Sequence, residues 1–305
     1  MTTPPATASE RAILGQLARV HARRYAKHPL FLIGFVLAVA ATIWDIVANP
    51  NLDPDRDGGL HFYSAFLIGV LGLIVAYRLT RTEEKAIALL PSAPTSRTIR
   101  TLALCAACLV PALAAALVLA VAVIGWQVHP PSYLQTWLDA MPTAEFVAWI
   151  LGGTVVAGLG GPLLGVAVGR WWRFPGAGVV AAVLLVVLAT APNVFASDVT
   201  DIFASDRADL PSVPSRIAWL VSPWIVWLNI SAGTEVTADG LPIVPWVMGP
   251  GSAVGHLVYT VGLCGLAAWA AVIKGAEGNG RSRGMHSGAI ALVVTLGGLA
   301  WAVFG

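Results

Sequence analysis

Residues 102–124 read LALCAACLVPALAAALVLAVAVI, a run without a single charged side chain. Wound as a helix at about 1.5 Å per residue, such a run crosses the roughly 30 Å of hydrocarbon in a bilayer. Working outward from it, six further stretches are apolar enough to do the same: 30–48, 62–77, 146–169, 176–192, 251–273 and 288–304. Of these, 62–77, 176–192 and 288–304 are short and need their flanks, or a locally thinner bilayer. The run 217–230 is shorter still and carries Pro223 with Trp219, Trp224 and Trp227, so it reads as re-entrant or interfacial. The chain of 305 residues is 57% hydrophobic and 11% charged, with a mean hydropathy of +0.77. A soluble domain carries about a quarter of its residues charged. The expected fold is therefore an all-α integral membrane protein, a polytopic bundle of six to seven helices with an N-terminal amphipathic interfacial helix and external re-entrant helices.

Charge placement orders these spans. Basic residues close to span ends stay on the cytoplasmic side of a membrane. With the N-terminus inside and the spans alternating, every Lys and Arg falls inside except Arg56, Arg207 and Arg216. Asp53, Asp55, Asp57, Asp139, Asp198, Asp201, Asp206, Asp209, Glu235 and Asp239 all fall outside. The tripeptide Ala38-Val39-Ala40 resembles a signal-peptide cleavage site, but the charged region before it is long, so 30–48 reads as a retained span. A net charge of +2 gives no global excess that would point to nucleic acid. Only Lys27, Lys85 and Lys274 are lysine among the basic residues, and with the abundant Ala, Gly and Val this composition points to a bacterial source. The expected location is the bacterial plasma membrane.

Three polar segments lie between the spans. Residues 9–28 place Ile13, Leu14, Leu17 and Val20 at helical spacing among Arg19, Arg23, Arg24 and Lys27, behind a Ser9 cap, which reads as an amphipathic helix at the inner membrane face. In the loop 78–100, Thr82-Glu83-Glu84-Lys85 opens a short helical run that Pro91-Ser92-Ala93-Pro94 breaks before Ser96-Arg97. That shape suits docking into another protein's groove, or equally a solvated connector whose charges set topology. The region 195–250 is long, acidic and rich in Trp and Pro, which marks it for packing at the outer interface.

The search for chemistry returns little. The chain has no G-x-x-x-x-G-K-[ST] and no H-E-x-x-H, so it carries no P-loop of its own. Its six histidines are scattered, and Cys105, Cys108 and Cys264 fall within apolar runs, where they read as small packing residues. Ionisable residues within spans mark ion or proton paths, yet only Asp45, Glu145 and His256 approach a span, each near its outer end. Neither catalytic nor cofactor nor metal residues are expected on this chain. Gly158, Gly160, Gly161 and Gly165 suit close helix packing, and Pro111 and Pro162 suit kinks.

The order of these elements resembles the permease subunits of ABC transporters of the type-2 exporter class. It rests on a basic amphipathic helix, two spans, a loop of the form Thr82-Glu83-Glu84-Lys85-x5-Pro91-x4-Ser96-Arg97, a third span, and a long external segment before the sixth. The resemblance divides the chain into a cytoplasmic tail and amphipathic helix (1–28), a six-span permease core (29–275, with a coupling loop 78–100 and an external gate region 194–250), and a basic cytoplasmic loop with a seventh span (276–305). It implies export of a hydrophobic or amphipathic substrate, powered by ATP and Mg on a separate ATPase dimer, with a second permease subunit, identical or homologous, as the other partner. It also implies that Glu83, Glu84, Ala86, Leu89, Leu90 and Arg97 couple to the ATPase, with Glu83 and Glu84 facing basic groups on it. The substrate path would be lined by Phe66, Leu67, Val70 and Leu73 with Val183, Leu184 and Val187, and Trp219, Pro223, Trp224 and Trp227 would close the external gate. Two other classes share the same topology signals: a membrane scaffold or assembly subunit without transport, and a lipid-modifying enzyme using the external Asp198, Asp201, Asp206 and Asp209.

Overall fold

The computed structural model describes residues 10–48, 64–89, 95–128, 142–195, 230–232, 246–248, 251–275 and 279–305. The helices in chain order are α1 (Glu10–Ala26), α2 (Pro29–Ala48), α3 (Ser64–Leu89), α4 (Arg97–Ala107), α5 (Leu109–Val128), α6 (Thr143–Leu151), α7 (Ala157–Trp171), α8 (Ala177–Phe195), α9 (Ala253–Ile273) and α10 (Asn279–Phe304). A π-helical segment, Gly152–Val156, joins α6 to α7. Two three-residue strands, β1 (Ile230–Ala232) and β2 (Trp246–Met248), pair antiparallel with Ser231 opposite Val247. The protein is an all-α polytopic membrane protein. Among the described residues six segments are long and apolar enough to cross a bilayer: Pro29–Val47, Ala65–Ala86, Arg97–Val128, Thr143–Trp171, Ala253–Ile273 and Met285–Phe304; Ala177–Ala189 is a shorter apolar helix.

Local sequence explains where the helices start and stop. Pro29 opens α2 at the position where its missing N–H costs nothing, and His28 before it leaves the helix, its Nδ1 accepting from the Leu30 N–H at 3.3 Å. Ser96 caps α4, accepting from the Ile99 N–H. Between α4 and α5 the chain breaks at Cys108, where Pro111 cannot donate to the carbonyl four residues back. The π-helical turn falls on Gly-Gly-Thr-Val-Val, a sequence of weak α-formers, with Thr154 Oγ1 donating to the Ile150 carbonyl at 2.6 Å.

Packing is backbone against backbone. In lipid, apolar side chains gain little from leaving an equally apolar solvent, so helices associate by close approach at small residues. A methyl group at Gly161 would run into the Gly69 carbonyl, and one at Gly165 into that of Leu73; at Gly169 it would lie 2.8 Å from Thr80 Cβ. Residue numbers rise together on both sides of this seam, so α3 and α7 run parallel. Trp171 Nε1 donates to the Ala270 carbonyl at 2.7 Å, while Gly160 faces Cys264, so α9 runs parallel to them. α10 returns antiparallel along α9: a Cβ at Gly262 would sit 2.8 Å from Thr295 Cα, and one at Gly298 2.8 Å from Tyr259 Cα. The short apolar stretch 288–304 gains its flank from the residues before it, and α10 is a full-length helix packed along α9.

Two further differences from the sequence reading concern the polar segments. The expected short helix after the second span is the unbroken continuation of α3. Nothing from Arg78 to Leu89 is Gly or Pro, and Thr80 and Thr82 return their hydroxyls to the carbonyls of Ala76 and Arg78 at 2.8 and 2.9 Å. α1 is held to the protein through His21 and Tyr25, which are buried, while Val20 of its expected apolar side is exposed; Tyr25 donates from its hydroxyl to the Gly72 carbonyl at 2.7 Å, and its ring meets Phe31 edge-on. The run 217–229 lies outside the described residues, and residue 230 opens β1.

The seam between α3 and α7 gives a direct test. Gly161→Leu or Gly165→Leu should abolish the monodisperse peak in detergent size-exclusion chromatography. Gly15→Ala, on α1 with nothing within 4 Å of its Cβ position, should be neutral or stabilising by up to about 1 kcal/mol.

Candidate functional site: an ionic cluster at one end of the bundle

Four helices bring charged groups together where α3 leaves the apolar core. Glu83 and Glu84 are adjacent on α3, so their side chains diverge by about 100° around the helix. Glu84 accepts from Arg81, one turn before it, at 2.7 Å and from Arg97, at the start of α4, at 2.6 Å. Arg170, in the last turn of α7, reaches both carboxylates at 3.4 Å, Glu84 through Nη1 and Glu83 through Nη2. His21 of α1 places Nε2 4.0 Å from Glu83 Oε1. The Arg170 side chain is fully buried, whereas that of Arg97 is 40% exposed. Arg24 and Arg100 stand close enough to act on Glu83 through space.

The electrostatics of this cluster are one-sided. Three guanidinium groups contact two carboxylates, so the cations are in surplus before Arg24 and Arg100 are counted. Burial, then Arg24 and Arg170, push the His21 imidazole down to about 4, and it is neutral at pH 7. Burial and Arg78 lower His28 as well. Removing ions from water is costly, and the attraction recovers that cost only when the geometry satisfies both sides. The arrangement ties the ends of α3, α4 and α7 into one unit, with the neutral His21 of α1 packed against Glu83. The turn that follows α7 is held to the same end: Tyr77 donates to the Phe174 carbonyl at 3.0 Å, Arg81 to that of Arg173 at 3.5 Å, and Gly176 takes the φ of 84° that brings the chain into α8.

The opposite end holds a second polar contact. Glu145 of α6 accepts from the Ser252 hydroxyl at 2.9 Å and the Val254 N–H at 3.0 Å, placing its charge at the N-terminus of α9, where the helix dipole favours an anion. Among the described residues no group of three His, Cys, Asp or Glu side chains could hold a metal ion. Cys105, Cys108 and Cys264 are free thiols within the main apolar core.

The residues singled out in the sequence distribute unevenly. Glu83, Glu84 and Arg97 meet in the cluster, where both carboxylates face cations of the chain itself. Ala86 is exposed, Leu89 ends α3, and Leu90 lies outside the described residues, as do Trp219, Pro223, Trp224 and Trp227. On the expected path, α3 and α8 do touch, with Val70, Leu73 and Tyr77 against Ala181 and Ala182. Leu73 is fully buried against α7, Phe66 is half-buried and Leu67 partly exposed, while Val183, Leu184 and Val187 are exposed on α8, with Ala181 and Ala182 buried. Arg170 escapes a sequence reading because it looks like one more topological charge; its signal is an arginine directly after four uninterrupted apolar turns ending in Gly169.

No protein-family model matches the chain, and no curated protein or solved structure matches it either.

Two outcomes follow from the cluster. Arg170→Met leaves two carboxylates without their buried partner and should cost about 3–5 kcal/mol, whereas Arg97→Gln, at the exposed rim, should cost less than about 1 kcal/mol; denaturant titration in detergent separates them. For His21, the folded-state value lies below the unfolded one near 6.5, so its contribution is complete above that pH and is lost as pH falls toward 4. The thermal midpoint should fall across this window, and His21→Gln should flatten part of the slope, with His28 acting in the same direction.

Proposed function

We propose that this chain is the membrane-spanning permease subunit of an ABC transporter of the type-2 exporter class, moving a hydrophobic or amphipathic substrate across the bacterial plasma membrane with its N-terminus in the cytoplasm. The observation that carries the reading is α3. It runs without a break from an apolar span through Glu83 and Glu84 to Leu89, and its end is fastened to α4 and α7. A rod of this kind delivers a displacement at its tip to the bundle instead of absorbing it in a flexible loop. In this reading a separate ATPase dimer binds and hydrolyses ATP with Mg, its closure displaces the tip of α3, and the cluster passes that displacement to α7. Because Glu83 and Glu84 are matched within the chain, contact with the ATPase falls to the exposed Ala86 and to Leu89, Leu90 and Arg97 around them. A second permease subunit, identical or homologous, would complete the path.

The gathering of Arg81, Arg97, Arg170, Arg173 and Lys274 at one end of parallel helices supports the inside assignment of that end. The test is to purify the tagged full-length chain from its own membranes in mild detergent and identify what accompanies it. A chain bearing G-x-x-x-x-G-K-[ST] should co-purify in near-equal amount, and Leu89→Asp should lose it while remaining in the membrane fraction. A chain that purifies with other membrane proteins and no ATPase would favour the scaffold reading.

A further inference from the structure

The basic residues that the cluster does not consume form a second feature. On α1 the buried side holds His21 and Tyr25, which fixes the rotation of the helix; Arg19, Arg23 and Lys27 are exposed together on the other side, with Arg24 exposed at its edge. Among the described residues the acidic groups at this end are Glu10, Glu83 and Glu84, and the last two are occupied by Arg81, Arg97 and Arg170. The stripe therefore keeps its charge. It also ends in a particular place: one turn beyond Lys27, Leu32 and Ile33 open the exposed apolar side of α2. The turn after α7 repeats the pattern. Trp172 and Phe174 stack at 5.9 Å, both exposed beside the exposed Arg173, while the backbone carbonyls of this turn are held by Tyr77 and Arg81; one turn later Val179 and Val180 open the exposed side of α8.

We propose that these two places, the α1 stripe and the Trp172–Phe174 turn, bind the headgroups of anionic phospholipids and hold them as a retained shell at this end of the bundle. Cations set directly above a lipid-facing apolar surface meet phosphate at headgroup depth, and tryptophan beside them occupies the interfacial layer. A protein partner would not require both patches to abut the lipid-facing sides of two different spans. The inference does not depend on the transport reading, since it concerns only the surface of this chain.

The experiment reconstitutes the full-length chain in vesicles of phosphatidylethanolamine with a minor, known fraction of phosphatidylglycerol, extracts it in mild detergent, and counts the retained lipids by native mass spectrometry. Phosphatidylglycerol should be enriched over its bulk fraction by at least about fivefold at low ionic strength, less at high salt. Replacing Arg19, Arg23, Arg24 and Lys27 together by Gln should remove most of the enrichment, replacing the three arginines by Lys should preserve it, and Arg173→Gln should remove a smaller share. If the quadruple variant does not fold, Arg23→Gln with Lys27→Gln gives an intermediate loss in the same assay. Bulk-ratio lipid on the unaltered chain, or unchanged enrichment in the Gln variants, overturns the proposal. Unchanged lipid with loss of a co-purifying protein would reassign the stripe to a protein surface.

Discussion

Everything in this bundle depends on two helices lying closer together than side chains normally permit. Where Gly161 and Gly165 of α7 pass Gly69 and Leu73 of α3, there is no room for a methyl group on either glycine. In water such a contact would be one term among many, with hydrophobic burial dominating. In lipid that driving force is largely absent, and dispersion between closely fitted backbones must supply the association. The same device recurs between α9 and α10, and again where Gly158 of α7 meets Pro111 and Ala115 of α5. Tyr25 shows how polar contacts are added to this frame: a hydroxyl buried among apolar groups has to find an acceptor, and the Gly72 carbonyl is accessible because no side chain covers it.

Given that seam, the ionic cluster has a simple cause. The parallel course of α3 and α7 brings Arg170, one residue past the last small-residue contact at Gly169, level with Glu83 and Glu84. Paired carboxylates on a helix that ran elsewhere would be solvated; beside a buried guanidinium they become structural. The contrast in exposure between Arg170 and Arg97 then sorts the groups by what each can do. A buried ion with two partners holds elements in place, and an exposed one remains open to exchange with salt or with another molecule.

Much of the architecture is legible in the sequence, because the constraint that produces it is written in runs of apolar residues. Within the described residues all seven apolar stretches fall on helices, and the alternation of basic and acidic segments agrees with the relative directions of α3, α7, α9 and α10. What is not legible is contact between residues distant in the chain. Glu83 and Glu84 read as a docking surface because their cationic partners are as far as 87 positions away. The continuity of α3 is missed for a different reason: a rise in polarity after Tyr77 looks like a boundary, but polarity alone does not end a helix, and Pro91 is the first residue able to do so. Leu73 and Val187 look alike as apolar residues on neighbouring spans, and only packing reveals that one is enclosed and the other faces outward.

The π-helical turn has a consequence for how the fourth span serves two neighbours. A wide turn holds one residue more than the α-helical ladder around it, and an extra residue rotates everything beyond it by about 100°. Upstream, Phe146, Trp149 and Ile150 belong to the cluster that includes Ala253 and Ala302. Downstream, Gly161 and Gly165 are presented to α3. A deletion of a single residue between Gly152 and Val156 would restore an ordinary helix and leave its two halves out of phase, so that either half could keep its neighbour only at the expense of the other. Within an otherwise regular span, the tolerance for changes in length is therefore lowest at the segment whose own sequence is least suited to being a helix.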